Sequence, residues 1–132
     1  MRIFRYFPLF IPVLVLVNAL YHYQVDLDSP LVGLTALSGA NLTFNGNQLI
    51  LVGSLFLLYV EILKSTRNIG TAISDHIFSI ATFVLFLLEF LLFPPAGNVS
   101  FLVLMLLCLL DVLAGVTVGI SMARSNFTIG QR

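Results

Sequence analysis

The chain has 132 residues, of which 59% are hydrophobic and 9% are charged, whereas soluble domains carry roughly a quarter charged residues. Six acids balance six bases and no basic cluster exists, so the electrostatic footprint of a nucleic-acid binder is missing. Twelve charged side chains and two histidines are also too few to clothe a water-facing surface of this size. Lipid must cover much of the molecule, and the fold class expected is all-α: a polytopic membrane protein, a single four-helix transmembrane domain over residues 1–132.

The first apolar run covers residues 4–23. Arg2 and Arg5 precede it, and tyrosines at 6, 21 and 23 suit the two interfaces of a retained span. A cleaved signal peptide is the rival reading, since Val17-Asn18-Ala19 resembles a cleavage site. Pro12, one turn after Pro8, is expected to remove a backbone bond and kink the helix. Asn18 and His22 are four residues apart, on one face near the outer end of this span.

Residues 24–47 form a long connection that holds Asp26 and Asp28 but no base. Asp28-Ser29-Pro30 offers a cap and a first-turn proline, Leu31, Leu34 and Leu37 recur at helical spacing, and Gly39 can end a turn. A short interfacial helix on the outer membrane surface is expected here. Asn45-Gly46 then reads as a tight turn, with Asn47 capping the second span.

The second run covers residues 48–63. Its acid, Glu61, lies near the end of the span with Lys64 three residues on and Arg67 close by, so the three are expected to form a cytoplasmic anchor. The third run covers residues 77–93. Asp75, Ser79, Thr82, Phe86 and Glu89 fall on one stripe of it, which must face protein or a wet cavity because lipid offers polar groups no partner. Glu89 lies near the outer end, within reach of Asn18 and His22 if the first and third spans touch. Ser74 and Asp75 are expected to cap the entry to this helix.

The fourth run covers residues 101–122. Asp111 lies near its middle, where a charged side chain costs about 2.5–3.5 kcal/mol on insertion scales. Gly115 and Gly119 share its face and make a GxxxG pattern, where missing side chains admit another backbone. Asp111 is expected to point into that contact, either hydrogen-bonded to a neighbour such as Thr82 or carrying its proton. Cys108 reads as a small buried apolar side chain.

All six bases fall on one side of this arrangement, at Arg2, Arg5, Lys64, Arg67, Arg124 and Arg132, which by the positive-inside rule places both termini in the cytoplasm. Runs of about 16 to 22 residues correspond to ~24 to 33 Å of helix, close to the hydrocarbon thickness. Catalytic signatures are missing: no HExxH, no GxSxG elbow and no glycine-rich phosphate loop, and His22 and His76 belong to opposite membrane faces. No cofactor and no metal site is expected. The sequence points to a non-enzymatic protein of the plasma (inner) membrane whose partners are the bilayer and other membrane subunits or itself, an accessory or assembly subunit working through helix packing. The alternative is a small proton- or cation-coupled transporter or channel using Glu89 and Asp111, with Ser79, Thr82, Asn18 and His22 as their polar neighbours.

Overall fold

A computed structural model describes residues 7–67 and 72–129 of the chain. Arg2, Arg5, Tyr6 and Arg132, together with the side chains of Arg67 and Ser74, lie outside what it describes. The chain order is helix α1 (Phe10–His22), strands β1 (Pro30–Thr35) and β2 (Asn41–Asn45), then helices α2 (Gly46–Arg67), α3 (Ala72–Leu92) and α4 (Val99–Ile129), with a 3-10 turn at Pro94–Ala96 before the last.

Three helices are long and apolar enough to cross a membrane, over Gly46–Thr66, Asp75–Leu92 and Val99–Ser125. The first is not. α1 has 13 residues, about 20 Å by helical rise against a hydrocarbon core of ~30 Å. Leu9 is its N-cap, so Pro12 falls in the first turn, where amide hydrogens have no intrahelical partner and the missing N–H costs nothing. The prolines therefore start this helix instead of kinking it. At the other extreme, α4 runs 31 residues, nine more than the apolar run read from the sequence.

The connection before α2 is a β-hairpin, not the interfacial helix expected. β1 and β2 pair antiparallel with Val32 opposite Phe44, Gly33 opposite Thr43, Leu34 opposite Leu42 and Thr35 opposite Asn41. Side chains directly opposite share a face, so Val32, Leu34, Leu42 and Phe44 make one apolar side while Gly33, Thr35, Asn41 and Thr43 make a polar one. That period of two outweighs the three-residue leucine spacing, and Gly33 would have weakened a helix in any case. Gly39 closes the turn at φ +82°, a left-handed backbone that glycine adopts without strain, and its N–H donates to the Ala36 carbonyl.

Asn45, not Asn47, caps α2. The Gln48 N–H donates to Asn45 Oδ1 at 2.9 Å while the Asn45 N–H donates to Gln48 Oε1 at 3.1 Å, a reciprocal capping box. Gly46 is the first helical residue, not the centre of a turn, and a Cβ there would come within 2.9 Å of the Leu27 side chain and 3.3 Å of its backbone. Asn47 instead ties the helix to the preceding segment, donating to Asp28 Oδ1 at 2.9 Å. α3 starts at Ala72, two residues before the expected Ser74 cap. α4 begins after Asn98, whose Oδ1 accepts from the Phe101 N–H and whose Nδ2 donates to the Tyr21 hydroxyl.

α4 is the central element and packs chiefly along α3 and α2. The apolar core joins Phe10, Val13, Leu14 and Val17 of α1 to Leu58, Phe86, Phe101, Leu104 and Cys108. Phe10 meets Phe86 edge-on at 6.5 Å between ring centroids and Phe86 lies 5.5 Å from Phe101. Polarity runs opposite to that of a water-soluble bundle: Leu55, Phe56, Leu88, Leu92 and Leu110 are exposed, whereas Ser54, Glu61, Ser79, Thr82 and Asp111 are buried. Such an exterior matches hydrocarbon as the solvent.

Candidate functional site

Three of the buried polar residues, Glu61, Ser79 and Asp111, assemble where α2 ends and α3 begins. Helices α3 and α4 are antiparallel neighbours joined by a short connection, and Ser79 and Asp111 lie nearly the same number of residues from it, which sets them at one level. Ser79 Oγ donates to Asp111 Oδ2 at 2.9 Å. Thr82, the partner expected for Asp111, instead donates to the Phe78 carbonyl of its own helix at 2.8 Å. It sits almost a turn further from the carboxylate, and back-bonding satisfies its hydroxyl locally.

From α2, Glu61 reaches the same cluster. It is 4% exposed, and Asp111 is 3% exposed. Lys64 Nζ lies 3.2 Å from Glu61 Oε1 and also donates to the Phe7 carbonyl at 3.0 Å, so a single ammonium stitches α2 to the segment entering α1. Of the expected anchor, Glu61 and Lys64 are paired; the Arg67 side chain is outside the described residues. Glu61 is thus buried within the protein and paired with Lys64.

Asp75 and His76 of α3 complete the cluster. Gly115 makes room for the histidine: a Cβ at position 115 would sit 3.0 Å from His76 Nδ1. Gly119, its counterpart in the GxxxG pattern, has nothing within 4 Å of the equivalent point. Within one chain the pattern therefore admits an imidazole at one glycine and leaves the other open. Glu61, Lys64, Asp75, His76, Ser79 and Asp111 line a cavity of about 20 Å³, enough for one water by the ~10–15 Å³ such a site requires. Three buried side-chain atoms among the described residues find no hydrogen-bond partner: Glu61 Oε2, Asp75 Oδ1 and His76 Nδ1. All three belong to residues that line this cavity.

Asn18 and Glu89 form a separate polar contact toward the hairpin end. Asn18 Nδ2 donates to Glu89 Oε2 at 2.7 Å and to the Leu14 carbonyl at 3.0 Å, joining α1 to α3. His22 takes no part in this contact; it is exposed, with its ring edge-on to Tyr23 at 5.4 Å. Between the two polar sites along α3 and α4 lie Phe86 and Leu104, both buried, with Phe10 of α1 and Phe101 packed against Phe86.

Sequence reasoning left Asp75 and His76 out of the site because it read Asp75 as a helix cap and His76 only against His22 at the other membrane face. The signal that could have found them is depth: counted from the α2–α3 connection, Glu61, Asp75, His76 and Ser79 fall within two turns of one another. The chain matches no protein-family model, no curated protein and no solved structure.

Proposed function

We propose that this is a small non-enzymatic multi-pass protein of the plasma (inner) membrane, crossing it four times with both termini cytoplasmic, that acts by associating with other membrane chains as an accessory or assembly subunit, or with copies of itself. The observation that carries this reading is the hairpin. Leu34 and Leu42 face the same way on it and are 57% and 49% exposed, no third strand pairs with either edge among the described residues, and an isolated two-stranded ribbon is marginal without something packed on it. Apart from the hairpin the connections between helices are short, which leaves little room for a soluble activity. The four-span topology rests on the six bases and on the apolar residues ahead of α1, since α1 by itself is too short to cross.

The test is the mass of the intact particle in nanodiscs, with whatever chains co-purify. Foreign subunits in fixed ratio, or a homo-oligomer, are expected for the unaltered protein, and Leu34→Glu with Leu42→Glu is expected to release them. A lone chain, or an assembly indifferent to both substitutions, overturns the reading. A transporter or channel using Glu89 and Asp111 together is less well supported, because aromatic side chains separate the two carboxyls within one chain.

A further inference from the structure

Among the described residues, the cavity at the α2–α3 end is the one place where buried side-chain polar groups remain unanswered. Lone pairs of a buried carboxylate are ordinarily satisfied by protein or by ordered water, yet Glu61, with 4% of its surface exposed, keeps Oε2 without a partner. Asp75 Oδ1 and His76 Nδ1 are in the same position, and all three residues bound one water-sized space. Two or more polar partners are what an internal water needs.

We propose that this cavity is a proton-binding site: one water, bridging Glu61, Asp75 and His76, passes protons between the buried carboxyls and the aqueous phase at the α2–α3 end. A proton arriving on the bridging water moves to Glu61 Oε2, leaving a neutral carboxylic acid and regenerating the water. The reverse step returns it. The groups facing Glu61 are Lys64 on its own helix, Asp75 and His76 from α3, Asp111 from α4 and the Leu9 backbone amide at the start of α1.

Two features favour a proton over a metal cation. Lys64 Nζ already occupies Glu61 Oε1 at 3.2 Å and leaves Oε2 open, one oxygen that suffices for a proton but not for a metal ion, which needs several ligands. Among the described residues no three His, Cys, Asp or Glu side chains are arranged to hold a metal. Access is from one end: Asp75 and His76 are half-buried there, whereas Leu104, Phe86 and Phe101 close the interior on the other side. The site binds and releases at a single face and does not conduct. This goes beyond the association reading and does not depend on it, because protonation is measurable in a particle of any subunit number.

The experiment is infrared difference spectroscopy of the full chain in phosphatidylcholine nanodiscs during a pH step, with ¹³C-carboxyl glutamate incorporated. Glu61 and Glu89 are the two glutamates in the sequence, so the label narrows the assignment without altering the fold. A protonated-carboxyl band is expected that shifts with the label, persists in Glu89→Gln, disappears in Glu61→Gln, and moves promptly on transfer to D₂O. Asp75→Asn is expected to displace its titration midpoint. A band that vanishes in Glu89→Gln, no labelled band at any pH, or exchange as slow as that of the core amides overturns the proposal. A band that responds to sodium at constant pH also overturns it, in favour of a metal-cation site. If Glu61→Gln fails to insert, the labelled Glu89→Gln chain decides between the same outcomes.

Discussion

At Asp111 one hydroxyl, that of Ser79, bonds the carboxylate across from α3 to α4. Removing it with Ser79→Ala leaves a buried carboxylate oxygen without its donor, a loss of about 1–3 kcal/mol. Thr82→Ala removes a hydroxyl that serves only its own helix and is expected to cost less. Steric-trapping measurements of unfolding in bicelles would rank the two, and equal costs would show that Ser79 is not the partner that matters. The glycines differ in the same way. Gly115→Ala pushes a methyl to 3.0 Å from His76 Nδ1 and Gly119→Ala meets nothing within 4 Å. The first is therefore expected to move the His76 imidazole resonances in NMR spectra of the labelled protein and the second to leave them in place. An effect of Gly119→Ala on particle mass alone would mark the open glycine as a contact between chains. The interhelical bond from Asn18 to Glu89 belongs to a class that averages about 0.6 kcal/mol in membrane proteins and reaches about 1.7; a double-mutant cycle on Asn18→Leu and Glu89→Gln is expected within that range.

Among the elements, the hairpin and the start of α2 form one device, since the last residue of β2 is also the cap of the helix. Asn45→Ala removes the side-chain bond of the capping box, the Oδ1 that accepts from the Gln48 N–H, and leaves its own N–H to donate to Gln48 Oε1, with an expected loss of about 0.5–2 kcal/mol; it also loosens the exit of the strand. Hydrogen exchange should accelerate in the first turn of α2 and in β2 together; faster exchange in α2 alone would uncouple the two. Much of this scale was legible in the residues. The second, third and fourth helices follow from continuous apolar runs, and the stripe from Asp75 to Glu89 holds the buried positions Ser79, Thr82 and Phe86. The hairpin was not legible, because Leu31, Leu34 and Leu37 fit a helical spacing while the pairing of Val32 with Phe44 and Leu34 with Leu42 depends on a second strand that local periodicity does not contain. The partners of Asp111 and His76 were hidden for a related reason: a side chain's neighbour across a bundle is set by the register of two helices. That register follows from where each helix starts, and starts are the part of a sequence read least sharply.

For the whole molecule the arrangement makes a statement about sides. With Cys108 replaced by alanine, single cysteines at Leu37 and Thr66 flank α2, which by its 22 residues spans about 33 Å. An impermeant maleimide applied to sealed vesicles is expected to reach one and not the other. Labelling of both from the same side would show that α2 does not cross. Arg2→Cys then reports on the first apolar run: labelling from the Thr66 side is expected if that run crosses, and labelling from the Leu37 side would remove the fourth span.

α4 is the element that no bilayer of ordinary thickness can hide. From Val99 to Arg124 the helix rises about 38 Å, several ångströms more than a ~30 Å hydrocarbon core. In such a membrane the helix leans or lets its last turns emerge. Thickening the bilayer removes that excess, so the protein carries a ruler, and the fit between its longest helix and its host lipids sets which membranes accommodate it without strain.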